Sequence, residues 1–297
     1  MPQPSDFNSI RDSKVIHFKE LVDSTMSTPP IKQDSSSVIS AKQRTLELAR
    51  RHGLHTLIEE PHPQTSFSQR AAARLRLEQA RAQKNLEQIL ARAEQICGDE
   101  AGSRVDPDWF SAYLELAKNS QTVTMQQLWS QILAMEVVTP GRFSVRALQT
   151  LTIMTQREAQ WFQRAVQIAS RMGGEQSHKL LLGAIRMPAR LGLQRRRVRR
   201  LSLGRYRLAF NQIMQLSELG LLYERELESS FAAQFDLSFE QSGKMWLLRP
   251  RYRQCKLIYY RLTPIGDELA QLIEPSPIVN YQTDLAELLE EFFELQY

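Results

Sequence analysis

Leu216-Ser-Glu-Leu-Gly-Leu-Leu222 and, after a basic stretch rich in aromatics, Tyr260-Arg-Leu-Thr-Pro-Ile-Gly-Asp-Glu-Leu269 decide the fold of the last third of this chain. Gly220 ends the first segment as a helix, because glycine enters the left-handed region without a Cβ penalty. Thr263-Pro264 opens the second as a helix, a capping hydroxyl followed by a proline whose missing N–H costs nothing in the first turn. Asp267 and Glu268 then sit where the helix dipole favours acids. Between the two helices, Leu221 to Glu226 reads as a strand. Phe235, Leu237 and Phe239 alternate with Asp236, Ser238 and Glu240, the period-2 pattern of a half-buried strand. Gln241 to Lys244 is a turn, Met245 to Leu248 a strand, Arg249-Pro250-Arg251 a second turn, and Lys256 to Leu262 a returning strand.

Working upstream, Thr155 with Glu158 makes a capping box for a helix to Met172. Ser177 to Met187 reads as a second helix carrying Leu180, Leu181, Ala184 and Ile185. Ser202 caps a third, whose Tyr206, Phe210, Ile213 and Met214 face the core. This succession resembles the winged-helix domains of bacterial regulators, in which a leucine-rich helix ends in Leu-Gly-Leu and the wing returns to Leu-Thr-x-x-Gly. The resemblance implies a helix and a hairpin presented to a duplex. One feature departs from it: about fourteen residues, including an arginine run, lie between Met187 and Ser202, where a helix-turn-helix has three or four. That connection reads as a basic loop or as an extension of the second helix.

The N-terminal part is helical by its spacing. Residues 1–40 are rich in Ser, Pro, Asp and Gln and offer too little apolar surface to order themselves. Residues 41–67 hold a short helix closed by Gly53 and a proline-bearing linker. From Ser68 to Cys97 runs a helix of about 30 residues, about 45 Å long. Leu75, Ala82, Leu86, Ile89, Ala93 and Ile96 form its apolar stripe, opposite Arg70, Arg74, Arg76, Arg81 and Lys84. Asp106-Pro107 starts a helix to Lys118, Thr124 with Gln127 caps the next, and Ser144 caps a short one after the turn Thr139-Pro140-Gly141. The expected fold is mainly α: a helical domain over 68–154, a winged-helix-like α+β domain with a small antiparallel sheet over 155–275, and an acidic amphipathic helix over 276–297.

Met125-Gln-Gln-Leu-Trp-Ser-Gln-Ile-Leu-Ala-Met-Glu136, followed by Pro140-Gly141-x-Phe143-Ser144-x-Arg146-x-Leu148 and the pair Glu158-Ala159, resembles an uncharacterised family of bacterial helical proteins. More distantly it is similar to the Abi-alpha domain, named for abortive infection of phage-infected cells. The resemblance runs from about Arg70 to Ile273 and carries over no catalytic or ligand residue. Leu128, Trp129, Ile132 and Leu133 share one helical face, which is core packing.

Charge is distributed unevenly. The chain of 297 residues carries a net +5, yet nine arginines and no acid lie between Arg186 and Arg207, which leaves −4 for the remainder. Lys244 to Arg261 adds six cations, again with no acid. Local fields of this kind attract polyanions. If the domain binds DNA, Arg205, Arg207, Asn211 and Gln212 on the third helix reach bases or phosphates, since arginine suits guanine and amides suit adenine. Arg195, Arg196, Arg197, Arg199, Arg200 and the wing residues Arg249, Arg251 and Arg253 supply phosphate contacts. Tyr252, Tyr259 and Tyr260 read as half-buried sheet residues or as stacking platforms. The competitor for these arginines is the C-terminal helix, read as Thr283 to Leu295, with Asp284, Glu287, Glu290, Glu291 and Glu294. It covers the basic surface, makes a dimer seam or binds a partner groove.

Chemistry finds no foothold in the motifs. There is no phosphate-cradling glycine loop, nucleophile elbow or His-Glu-x-x-His. His52, His55 and His62 lack cysteine or acidic co-ligands at a metal spacing. Cys97 and Cys255 suit reduced structural thiols, and a polar N-terminus with no long apolar run suits the cytoplasm. The expectation is a non-enzymatic protein without cofactor or metal that binds DNA or acts as a regulator. The alternative is a protein-interaction or phage-defence protein of the abortive-infection type, in which the winged helix is structural.

Overall fold

The computed structural model describes residues 39–99, 101–187, 196–229, 236–252 and 254–296. The arm read over residues 1–40 therefore lies almost wholly outside the described residues, as do Arg195 and Arg253. Two compact units part at Pro140 and Gly141. Among the described residues about half are helical, with an eight-stranded antiparallel sheet in the C-terminal part, an α+β arrangement.

Among the described residues the N-terminal unit holds five helices, four of which begin at a side-chain cap. These are α1 (Ala41–Arg51), α2 (Thr56–Glu59), α3 (Phe67–Cys97), α4 (Pro107–Ala117) and α5 (Val123–Val138). Ser66 and Gln69 form a reciprocal box at the start of α3, and Asp106 accepts from the N–H groups of Asp108 and Trp109 at the start of α4. The cap of α5 is Thr122, accepting from the Met125 N–H, and not Thr124. Both threonines precede an apolar run, and local spacing alone does not separate them.

Its core lies where the C-terminal half of α3 meets α4 and α5. Tyr113, Trp129, Ile89 and Ile132 have no exposed surface. The Tyr113 hydroxyl donates to the Trp129 carbonyl at 2.7 Å, and the two rings meet edge to face at 5.3 Å. Burial pushes the Tyr113 phenol well above its ordinary pKa. The buried Gln126 amide accepts from Arg92 and donates to Asn85 Oδ1 and the Ser120 carbonyl, so its cost of desolvation is offset.

The C-terminal unit opens with α6 (Val145–Ile153) and α7 (Gln156–Ile168), capped by Ser144 and by the Thr155/Glu158 box as the sequence predicts. The next segment departs from expectation. Ser177 to Met187 is not a helix; Lys179–Arg186 is strand β2, after a short β1 (Ser170–Met172). Seven of the eight residues of β2 are buried. A strand covered on both faces loses its alternation and presents the same apolar run as a buried helix. β2 pairs with β7 (Cys255–Arg261) on one edge, and with β1 and then β3 (Arg197–Arg200) on the other. Among the described residues no helix-turn-helix forms here, because β1, β2 and β3 separate α7 from the next described helix.

The third expected helix is also shortened. After Ser202 the chain makes one 3-10 turn (Leu203–Tyr206), Arg207 turns left-handed at φ 61°, and α8 spans Phe210–Glu218. Leu203, Tyr206 and Leu208 are all buried, a spacing of three then two that no single helical face provides. Gly220, at φ 73°, ends α8 as predicted. Leu221 to Glu226 contributes only a bridge from Leu222 to Leu262, and the strand there is β4 (Leu227–Glu228). β5 (Leu237–Gln241) and β6 (Lys244–Pro250) form the hairpin, and α9 (Pro264–Ala270) follows β7 under the Thr263 cap. The acidic helix, α10 (Val279–Glu290), starts and stops earlier than read. Phe293–Gln296 turns into β8 and pairs with β6, opposing Arg249 to Glu294 and Pro250 to Phe293.

The sheet order is β4-β7-β2-β1-β5-β6-β8, with β3 beside β2. β6 and β7 are consecutive in sequence yet four places apart, so the sheet must curl for a short link to join them. At that link the Phe292 carbonyl accepts from the Arg251 N–H. Tyr281, Leu285, Leu288 and Leu289 of α10 are buried, and the Tyr281 hydroxyl donates to the Leu181 carbonyl of β2. The acidic helix is thus part of the core and not an appendage.

One polar cluster ties the start of β2 to its surroundings. Lys179 is 3% exposed, and its ammonium meets Glu175 at 2.7 Å and the Tyr259 ring at 5.9 Å. The hydrogen bond from Lys179 holds the Glu175 carboxyl below its ordinary pKa. A depressed folded-state pKa gives stability that is present above the unfolded value of about 4.3 and is lost as pH falls through the lower folded value. Glu175→Gln is expected to lower stability by about 1 kcal/mol at pH 7, a figure discounted because Glu175 itself is largely exposed. In denaturant titrations the difference from wild type should close below about pH 4.

Candidate nucleic-acid interface

The arginine run, read as a loop, is in part a strand. Arg197 to Arg200 form β3, all four residues exposed, on the outer side of β2. Gly183 makes this pairing possible. A Cβ there would lie 2.2 Å from the Arg199 carbonyl oxygen, so only glycine lets β3 approach. Side chains alternate along the strand, and the arginines divide accordingly. Arg197 and Arg199 reach Glu291 at the end of α10, at 2.6 and 3.0 Å, while Arg200 pairs with Glu226.

The remaining sequence-predicted residues lie in three settings. Arg205 is 3.4 Å from Asp284 of α10, which also accepts from the Tyr206 hydroxyl. Burial, then that hydrogen bond, push the Tyr206 phenol up to about 12. Arg249 makes a two-pronged pair with Asp236, both contacts 2.9 Å, which holds the Asp236 carboxyl low. Arg251 donates to the Glu290 and Phe293 carbonyls and approaches Glu294 at 3.8 Å. Asn211 is exposed on the first turn of α8. Gln212 beside it accepts from the Ala209 N–H and so acts as the helix cap.

Arg196 and Arg207 are exposed and make no ion pair among the described residues. Burial and then the charge of Arg207 lower the pKa of Arg164 on α7, so these two guanidiniums are near neighbours. Of the tyrosines, Tyr260 is buried, Tyr259 lies under Lys179, and Tyr252 carries the Arg186 guanidinium 4.7 Å above its ring. Tyr259 and Tyr260 are sheet residues, whereas Tyr252 lies in the bend between β6 and β7.

The sequence located the arginines and anticipated Asp284, Glu291 and Glu294 as their acidic competitors. It missed Glu226 and Asp236, whose partners lie 26 and 13 residues away in the chain. Even so, the paired side chains stay open to solvent. Those of Arg197, Arg199 and Arg205 are 58%, 56% and 70% exposed, so an incoming phosphate can exchange with a carboxylate. Charged residues on an edge strand have a second use, since they oppose pairing with strands of other molecules.

Elsewhere in this unit a cleft of about 650 Å³ is lined by Glu175, Ser177, Arg261, Asp267 and Glu268. Beside it, Asp267 Oδ1 holds both the backbone N–H and the Nδ1 of His178 at 2.8 Å, which ties β2 to α9. Among the described residues no group of three or more His, Cys, Asp or Glu is arranged to hold a metal ion. No described helix is long and apolar enough to cross a membrane. Cys97 and Cys255 form no disulfide with each other, and the Cys255 thiol points at the Phe292 carbonyl.

A family profile described as "Protein of unknown function (DUF2806)" matches residues 69–286, well over half of the chain. The chain belongs to this family. The DUF2806 region runs from α3 into α10 and so takes in β3, the hairpin β5–β6 and, of the carboxylates of α10, Asp284. No curated protein and no solved structure matches the chain.

Proposed function

We propose that this protein is a non-enzymatic DNA-binding regulator that holds the phosphate backbone with the arginines of β3 and the β6 turn. The observation that carries the reading is the exposed strand β3 with Arg197, Arg199 and Arg200, flanked by the exposed Arg196 and Arg207. Arginines at alternate strand positions repeat about every 7 Å, close to the spacing of phosphates along one DNA strand. From the winged-helix expectation the proposal keeps two contact elements, helix α8 with Asn211 at its exposed start and the hairpin β5–β6 with Arg249. Phosphate contacts give affinity, and Asn211 is the residue suited to a base edge.

The test is binding of labelled duplex DNA across a salt series, with a variant in which Arg195, Arg196, Arg197, Arg199 and Arg200 are glutamine. Wild type should bind at about 50 mM salt with a steep log–log slope, each phosphate contact contributing about −0.9. The variant should lose about three or more units of slope. No binding by wild type at about 50 mM salt, or an unaltered slope in the variant, overturns the reading.

A second reading is favoured by the carboxylates on Arg197, Arg199, Arg200, Arg205 and Arg249. In it these arginines are structural, and the protein acts by engaging another protein, as an abortive-infection protein would. The same variant then folds less stably and binds no DNA in either form.

A further inference from the structure

Arg261, the last residue of β7, lines two clefts of the C-terminal unit. The first, of about 650 Å³, also takes in Glu175, Asp267 and Glu268. The second, of about 600 Å³, is bordered by Gly220, Leu222, Tyr223 and Leu227. Either volume suits a small organic molecule.

In the first cleft opposite charges line one space without pairing with each other. Arg261 Nε donates to the hydroxyl of the buried Ser177 at 2.9 Å, which fixes the guanidinium. Its two terminal nitrogens make no hydrogen bond or ion pair among the described residues. Each carboxylate likewise commits one oxygen to the protein. Glu175 Oε2 holds Lys179, Asp267 Oδ1 holds the backbone N–H and ring of His178, and Glu268 Oε2 accepts from the Ser144 N–H and hydroxyl. The second oxygen of each makes no such bond among the described residues, and no ion pair joins any of the three acids to Arg261. A metal ion does not account for this set. The three acids are not arranged around one ion, and a metal would leave the guanidinium unused. A ligand that carries both charges on neighbouring groups satisfies the arginine and the acids together, where a ligand of one sign would leave the other side unanswered.

The second cleft supplies an apolar surface. Leu222 is buried, Leu227 half-buried, and the Tyr223 ring is exposed. At Gly220 a Cβ would meet nothing within 4 Å, so that wall stands open.

We infer that the two clefts sharing Arg261 form one binding site for a free α-amino acid with an apolar side chain. The terminal nitrogens of Arg261 take the carboxylate as a two-pronged pair, and the remaining oxygens of Glu175 and Asp267 take the ammonium. The side chain lies over Leu222 and Leu227 beside the Tyr223 ring. Three acids against one arginine leave the first cleft with an excess of negative charge, which repels simple carboxylic acids and keeps the ammonium a requirement.

The test is isothermal titration calorimetry of the full chain with L-leucine, L-methionine and L-phenylalanine. The tightest of the three should bind with a Kd of about 1 mM or lower and, at about 20 mM, raise the melting temperature by a few degrees. Three analogues of that ligand each lack one feature: its amide lacks the carboxylate, its deaminated acid lacks the ammonium, and glycine lacks the side chain. Each should bind at least tenfold more weakly, because a partner built for the missing group is left unpaired or uncovered. Arg261→Gln should weaken the amino acid at least tenfold and leave the amide unchanged, a split that a merely disordered site does not give. Absence of binding by all three amino acids at about 20 mM overturns the inference. So does an amide or a deaminated acid that binds as tightly as the amino acid, or an amino-acid affinity indifferent to Arg261→Gln. The analogue series on wild type decides the matter even where the variant fails to fold.

Discussion

Gly183→Val is expected to destabilise the C-terminal unit by about 3 kcal/mol or more and to strip β3 from the sheet. A Cβ at position 183 would lie 2.2 Å from the Arg199 carbonyl oxygen, and 3.1 Å from both the Arg199 carbonyl carbon and the Arg200 Cα. All three are backbone atoms, so no rotamer change relieves the contact. Either β3 moves away and its hydrogen bonds to β2 are lost, or β2 shifts and breaks its pairing with β7. β2 is the strand through which β7, β1 and β3 are joined, so neither outcome is local. For a unit of this size the melting temperature should fall by about 10 °C. Hydrogen exchange should show lost protection at the β3 amides first. Gly204→Ala is the control, because the nearest atom to its Cβ is an ordinary contact at 3.7 Å. A Gly183→Val melting temperature within about 2 °C of wild type would show that β3 is not held as described. Under the DNA-binding proposal the same variant should also lose affinity, since the strand that aligns Arg197, Arg199 and Arg200 is gone.

What could be read from the sequence was local chemistry. Ser144, the Thr155/Glu158 box, Thr263-Pro264 and Gly220 mark helix ends by bonds made within three or four residues, and each lies where the sequence places it. The hairpin was legible too, because Phe239 alternates with Ser238 and Glu240 on a strand with one buried face. What could not be read depends on distant partners. Leu180 to Ile185 is an apolar run because β7 and β3 flank it and helices cover it, and neither fact is encoded within eight residues. Phe292 and Phe293 extend the apolar pattern of α10, but Phe293 belongs to β8, a strand defined by β6, some forty residues earlier. The site divides the same way. Arginine positions are visible in one dimension, whereas the pairings of Arg200 with Glu226 and Arg249 with Asp236 appear only when the strands are side by side.

Glu291→Gln separates the two readings of those arginines, and the DNA-binding reading requires a gain. Glu291 holds both Arg197 and Arg199, and its side chain is 24% exposed while theirs are more than half exposed. It also follows the last turn of α10, where the helix dipole disfavours a negative charge. Pairs whose arginines lie open to solvent contribute about 1 kcal/mol, and relief at the helix terminus offsets part of that loss, so stability should change little. Two guanidiniums are released to solvent at the same time, and one negative charge is removed from the path of an incoming phosphate. Duplex DNA should then bind about tenfold more tightly near 100 mM salt, with a log–log salt slope steeper by up to about two. Combining Glu291→Gln with Arg197→Gln and Arg199→Gln should erase the gain, because the effect runs through those two side chains. If Glu291→Gln leaves affinity and slope unchanged while lowering stability, the arginines serve to hold α10 on the sheet. The function then has to be sought on a protein-binding surface.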